Sequence, residues 1–149
     1  GEVVVHGQNP QNGPWRIGLN KPIDDSLAVN QELQAVLQVT DLGMATSGNY
    51  RNYYYKDGKK YAHTIDPRTG YPLETGLVAV TAVSSLSTTA EIWSTIAFFN
   101  GAQATEQLVP PGLKIGFVFI SGQRTVQLSS NLADAFELVD DSYRVVTPD

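Results

Sequence analysis

Asp57-Gly58 is the strongest short hairpin signal in this chain, because a two-residue loop of this kind takes positive φ at both positions at little cost. It commits the flanking runs, Arg51 to Tyr55 and Lys59 to Ile65, to antiparallel pairing. The hairpin includes three consecutive tyrosines, Tyr53 to Tyr55, which offer stacking surface or pack in part into the core. It also delivers His63 to the polar turn that follows.

That turn, His63 to Pro72, reads His-Thr-Ile-Asp-Pro-Arg-Thr-Gly-Tyr-Pro. Pro67 presets φ, Asp66 can accept hydrogen bonds from amides two or three residues on, and Gly70 can take a positive φ. A self-satisfied β-turn accounts for these residues. A functional site accounts for them as well, because His63 and Ile65 lie two apart on an apparent strand and so share a face. Moreover Arg51, Lys56, Lys59, Lys60 and Arg68 are five of the ten Lys and Arg residues of a chain with net charge −5. Positive charge concentrated in an acidic protein suits an anion site.

The other runs set the class. Val3 to His6 and Trp15 to Leu19 read as strands joined through a Gly, Pro and Asn-rich turn, together a hairpin. Lys21 to Asn30, with Asp24-Asp25-Ser26, reads as a surface loop. Ala35 to Thr40 is a strand, and Gly43 to Tyr50 is a strand of small residues that would let a ligand or another backbone come close. Leu77 to Ser84 is a strand, followed by a helix from Ser87 to Asn100 that Gly101 closes. Ala104 to Val109 is a short second helix stopped by Pro110-Pro111-Gly112. Lys114 to Ile120 and Arg124 to Leu128 form a further hairpin, and Phe136 to Val146 adds one or two strands. Strands dominate around one main helix, which gives an α+β class with a mixed or antiparallel sheet.

At 149 residues, 42% hydrophobic and 17% charged, the chain is one globular domain's worth. The negative charge excludes nucleic acid as a general partner. The absence of cysteine excludes thiolate zinc sites and cysteine nucleophiles. No apolar run reaches the roughly 20 residues that span a bilayer. The chain opens directly on a β-branched run, as if it began inside a fold.

A second constellation lies on the helix. Glu91 and Thr95 are four residues apart and share a face, offering two hard oxygens of the kind that suit Mg²⁺ or Ca²⁺ rather than zinc. The more economical reading of Thr88-Thr89-Ala90-Glu91 is a capping box, with Thr88 at the N-cap and Glu91 reaching back.

With both constellations in view, the chain resembles the C-terminal half of the FAD:protein FMN transferase (ApbE) family. Gly1-Glu2 resembles the end of its Gly-Gly-Glu motif, and Trp15-Arg16-Ile17-Gly18-Leu19 with Pro22 its Trp-x-Ile-Gly-Ile segment. Ala45-Thr46-Ser47-Gly48 with Tyr50 resembles its Ala-Thr-Ser-Gly-x-Tyr signature, and His63 to Pro72 its His-x-Ile-Asp-Pro-x-Thr-Gly-x-Pro hallmark.

The resemblance implies part of a single T-fold-like domain that moves FMN from FAD to a Ser or Thr hydroxyl of an acceptor flavoprotein subunit, releasing AMP, with Mg²⁺. It implies catalytic roles for His63, Asp66 and Thr69, with His63 as base or flavin contact. It also implies flavin contacts at Gly1, Glu2, Ser47, His63, Ile65 and Arg68, and metal ligands at Glu91 and Thr95. The helix follows the family's Ala-Asp-x-x-x-Thr pattern except that Glu91 replaces the aspartate, lengthening the reach by about 1.5 Å. That departure also fits a flavin-binding homologue with impaired metal function, and FAD hydrolysis to FMN and AMP is a related alternative. A flavin-carrying acceptor fits poorly, because Ser47-Gly48-Asn49-Tyr50 lacks the alanine and the final hydroxyl of acceptor motifs. A further N-terminal half, on the same protein or a second chain, is expected to complete the site. An extracytoplasmic, periplasmic setting with an upstream lipoprotein anchor is the localisation the family implies.

Overall fold

The computed structural model describes residues 1–24 and 32–146. Its central element is the strand Leu77–Ser84, whose residues Ala79 to Ser84 are all buried. A run without a polar face can be satisfied only where both faces of a sheet are covered, and here they are. In chain order the strands are β1 (Glu2–Val5), β2 (Trp15–Asn20), β3 (Leu33–Val39), β4 (Leu42–Gly48), β5 (Tyr53–Lys56), β6 (Lys59–Ala62), β7 (Ile65–Asp66), β8 (Tyr71–Pro72) and β9 (Leu77–Ser84). Helices α1 (Ser87–Asn100) and α2 (Ala102–Leu108) follow, then β10 (Ile115–Ser121), β11 (Thr125–Leu128), a 3-10 turn (Ser130–Ala135), β12 (Phe136–Leu138) and β13 (Arg144–Val146).

The large sheet runs β1-β4-β9-β10-β11-β13, antiparallel except for the parallel β11–β13 pair. A small sheet, β12-β3-β2, packs on one of its faces. Leu19, Ala35, Leu37 and Val39 of the small sheet there share a core with Met44, Ala79, Val83, Val118 and Ile120. On the opposite face α1 buries Ala90, Ala97 and Phe98 against Ala45, Val80, Ala82, Phe117 and Phe119. The result is a layered α+β fold in which the strand parity of β4, β9 and β10 sends alternate side chains to the two cores.

The Asp57-Gly58 hairpin forms as its residues predict, with φ of 51° and 75° at the two loop positions and Tyr53 opposite Ala62. The helix ends at Asn100, and Gly101 closes it with φ 77°. The second helix starts two residues earlier than expected, directly after Gly101.

Two expectations need correction. β1 and β2 are not a hairpin: β1 pairs with β4 in the large sheet and β2 with β3 in the small one. The connection between them crosses from one sheet to the other, held by Asn9, whose Oδ1 accepts from the Gln11 and Gly13 amides. The capping box is also absent. The residue before α1 is Leu86, in an extended conformation, and no side chain caps the helix, so Thr88 lies inside the first turn and Glu91 lies beyond it. The loop expected over Lys21 to Asn30 lies mostly outside the described residues. Its described end is tied down by the Lys21–Asp140 ion pair at 2.9 Å, and Lys21 together with Ser142 pulls the Asp140 carboxyl down to about 2.

Candidate functional site

The small-residue strand β4 positions α1. A Cβ on Gly43 would lie 2.6 Å from both Cα and N of Ser87, so the absence of a side chain lets the helix start sit directly on the strand. Two residues on, Ala45 packs in the helix-facing core. Two further on, Ser47 meets the helix, its Oγ 2.9 Å from Ser94 Oγ and 3.1 Å from Thr95 Oγ1. Pairing of β1 with β4 sets Glu2 opposite Ala45, where its carboxyl lies close to that of Glu91. Burial, and then this contact with Glu2, push the Glu91 carboxyl above the usual carboxylate range. Two carboxyl groups held together with hydroxyls form a hard-oxygen set that could hold a divalent cation. Among the described residues no third His, Cys, Asp or Glu joins them.

Glu2, Ser47, Glu91 and Thr95 line a cavity of about 610 Å³. Met44, Thr81 and Ile120 of the large sheet and Ile17 to Asn20 of β2 form further walls, and Arg51, Asn52, His63 and Thr64 line it as well. Gly48 is required where the chain leaves β4, since a Cβ there would lie 2.7 Å from the Tyr50 ring and 2.8 Å from the Val78 carbonyl oxygen. Tyr50 also lines the cavity. Its phenol is pushed up by burial, and the Arg51 guanidinium, 5.7 Å from the ring centre, opposes that shift.

His63 continues the register of the β5–β6 hairpin by one pair, its backbone N–H donating to the Asn52 carbonyl at 3.0 Å. The ring Nδ1 lies 3.2 Å from the same oxygen. A carbonyl oxygen only accepts, so Nδ1 carries a proton and Nε2 of the neutral ring is left as the proton acceptor. Asn52 is thus a site residue that the motifs missed. Counting the register outward from Asp57-Gly58 would have found it. Thr81 and Ser94 were also missed, because they reach the site through sheet pairing and helix packing rather than through a local pattern.

The rest of the polar turn is placed differently. Asp66 is buried and binds Arg68 three times over, accepting from the backbone N–H at 2.9 Å, from Nε at 3.0 Å and from Nη2 at 2.8 Å. The Arg68 side chain, followed by its amide, holds the Asp66 carboxyl below the usual carboxylate range. Arg68 also stacks over Phe99 of α1, 5.1 Å from the ring centre. Thr69 accepts from the Tyr71 amide, and Gly70 takes φ 73°. Asp66, Arg68, Thr69 and the half-exposed Ile65 therefore build the turn and dock it on the helix, and none of them lines the cavity. The shared face of His63 and Ile65 is lost because the strand breaks between them.

The basic cluster is likewise mostly neutralised. Lys59 pairs with Glu74 at 3.1 Å, Lys60 with Asp24 and Arg68 with Asp66. Of the five, only Arg51 lines the cavity.

Asp66→Asn is expected to lower thermal stability at neutral pH. The sign follows from the depressed carboxyl. Its contribution is present above the unfolded value near 4, roughly, and is lost as pH falls through the folded value. Melting curves of the two proteins should therefore differ at pH 7 and converge in strong acid. Equal melting temperatures at pH 7 would show that the Asp66–Arg68 pair holds nothing in place.

Residues 1–117 match the model of the ApbE family. The chain is 38% identical over 124 residues to a Salmonella typhimurium protein named FAD:protein FMN transferase, covering 83% of this chain and 34% of that one. It is 35% identical over 134 residues to a Klebsiella pneumoniae protein of the same name, covering 90% and 41%. Among solved structures, the ApbE protein of Thermotoga maritima superposes with a TM-score of 0.74 at 26% identity, covering 91% of this chain and 42% of that one. The flavin transferase ApbE of Vibrio cholerae does so with a TM-score of 0.67 at 29% identity and the same two coverages. The chain spans less than half the length of each of these relatives. With the family model matched over most of its length and the fold shared, this chain belongs to the ApbE family.

Proposed function

We propose that this chain supplies two walls of a site that transfers FMN from FAD to a Ser or Thr hydroxyl of an acceptor protein. The observation that carries the reading is that Glu2, Glu91 and Thr95 line the same cavity as His63. It is supported by relatives named FAD:protein FMN transferase. In the reaction the acceptor oxygen forms a bond to the FMN-side phosphorus, the bond from that phosphorus to the bridging pyrophosphate oxygen breaks, and AMP leaves with that oxygen. Such a transfer calls for charge neutralisation, positioning and removal of the acceptor proton. A divalent cation, Mg²⁺ in this proposal, would be held by Glu91 and Thr95 and would neutralise pyrophosphate charge when bound. His63 takes the acceptor proton on Nε2, its ring held by Asn52. Arg51 lends positive charge to the cavity, and Asp66, Arg68 and Thr69 act indirectly by fixing the turn that carries His63.

The test is His63→Ala in the full-length protein, assayed with FAD, Mg²⁺ and an acceptor. Loss of a general base lowers turnover by about 10²–10⁴-fold, and the variant should still bind FAD. Unchanged turnover would remove His63 from the proton path. A second reading, FAD hydrolysis, differs in one product, since it yields free FMN and AMP with no acceptor present. Glu91, in place of the family's aspartate, motivates a third, a flavin-binding protein with a weakened metal site, and Glu91→Asp separates it by raising turnover only in that case.

A further inference from the structure

Ser94 has no exposed surface, and the chemistry above gives it no task. Its Oγ lies 2.9 Å from the backbone carbonyl oxygen of Glu91, to which it donates, and 2.9 Å from Ser47 Oγ across the strand–helix interface. Ser47 Oγ lies in turn 3.1 Å from Thr95 Oγ1. Each hydroxyl has one proton to donate and two lone pairs. The Glu91 carbonyl only accepts, so the Ser94 proton is committed to it. Ser94 then accepts from Ser47, whose proton is committed in its turn, and Ser47 accepts from Thr95. The three bonds run in one direction, from Thr95 to Ser47 to Ser94 to the Glu91 backbone.

This direction has a consequence for Thr95. With its proton drawn toward β4, Oγ1 presents lone pairs alone to the cavity, as a cation ligand must. A hydroxyl whose proton was free to swing into the site would repel a cation. We infer that Ser94 and Ser47 are positioning residues that fix the Thr95 hydroxyl as a lone-pair donor to a divalent cation. The relay ends on the backbone of Glu91, so it also ties the two proposed ligands to each other across one helical turn. The inference rests on the proposal that Glu91 and Thr95 hold the cation.

The test uses Mn²⁺ as a spectroscopic probe, titrated into the full-length protein and followed by the electron paramagnetic resonance signal of the free ion. Ser94→Ala frees the Ser47 proton to turn toward Thr95, and Ser47→Ala removes the acceptor altogether. Each variant is expected to bind Mn²⁺ about tenfold more weakly, the size typical of losing a group that orients a ligand. Because both act along one path, the double variant should be no weaker than the weaker single variant, whereas Ser47→Thr, which keeps the hydroxyl, should bind as the parent does. A melting curve on each variant separates this from a packing defect, and Ser47→Ala carries the test if Ser94→Ala does not fold. Parent-like Mn²⁺ affinity in Ser47→Ala, or losses that add in the double variant, would overturn the relay. A parent protein that binds no Mn²⁺ would overturn the cation site itself, and the relay with it.

Discussion

Glu91→Ala is expected to reduce FMN transfer by at least about a hundredfold, because it removes a charged ligand from the proposed cation site, and to leave FAD binding measurable. The fold should survive the change, since Glu91 packs in neither core and caps nothing. Glu91→Gln separates charge from shape. In the metal-free protein the Glu91 carboxyl is raised by burial and by Glu2. A raised carboxyl contributes stability that is present below its unfolded value and is lost as pH rises through the folded value. The glutamine variant, free of that penalty, should therefore melt higher than the parent at neutral pH without metal and match it more closely in acid. Saturating Mg²⁺ should reverse the order, because a ligand that binds only the folded state stabilises it. Stability and function pull in opposite directions at such a site, and a glutamine variant that melts lower than the metal-free parent at neutral pH would contradict this account of Glu91.

Gly43→Ala should have the largest effect on stability. The added Cβ would lie 2.6 Å from Ser87 Cα and N, both backbone atoms, so no rotamer change can relieve it. Helix α1 has to move off β4. Overpacking of this kind costs about 1–3 kcal/mol, which for a domain of this size lowers Tm by roughly 3–10 °C. The helix that shifts is the one that carries Glu91, Ser94 and Thr95, so divalent-cation affinity should fall along with Tm. Calorimetry and a metal titration on the same variant check both halves. A variant that melts with the parent would show that the close approach of helix and strand is not needed.

How much of this was legible in the sequence depends on the range of the interaction. Features written into neighbouring residues could be read directly, among them the Asp57-Gly58 turn, the glycine that closes α1 and the β-branched run of β9. The β1–β2 hairpin failed because two strand-like runs joined by a turn-rich loop say nothing about which edge each will join, and the partner of β1 lies in β4. The capping box failed for a related reason. Its four residues fit the pattern, but packing of Ser87 on Gly43 starts the helix earlier and turns Glu91 toward Glu2. In the polar turn the density of charged groups suggested a site throughout, whereas Asp66 and Arg68 neutralise each other two residues apart. Only His63 and Thr64 of that stretch reach the cavity. The resemblance to the family was readable because it rests on local motifs. The meeting of Glu2, Ser47, Glu91 and Thr95 required the sheet.

The central claim is that this cavity belongs to an enzyme that moves FMN, and intact-mass analysis of the acceptor tests it most directly. The full-length protein, incubated with FAD, Mg²⁺ and an acceptor carrying a reactive Ser or Thr, should add one FMN by phosphoester to that hydroxyl and release one AMP per FMN. An acceptor that stays unmodified, with FAD demonstrably bound and no AMP formed, would contradict it.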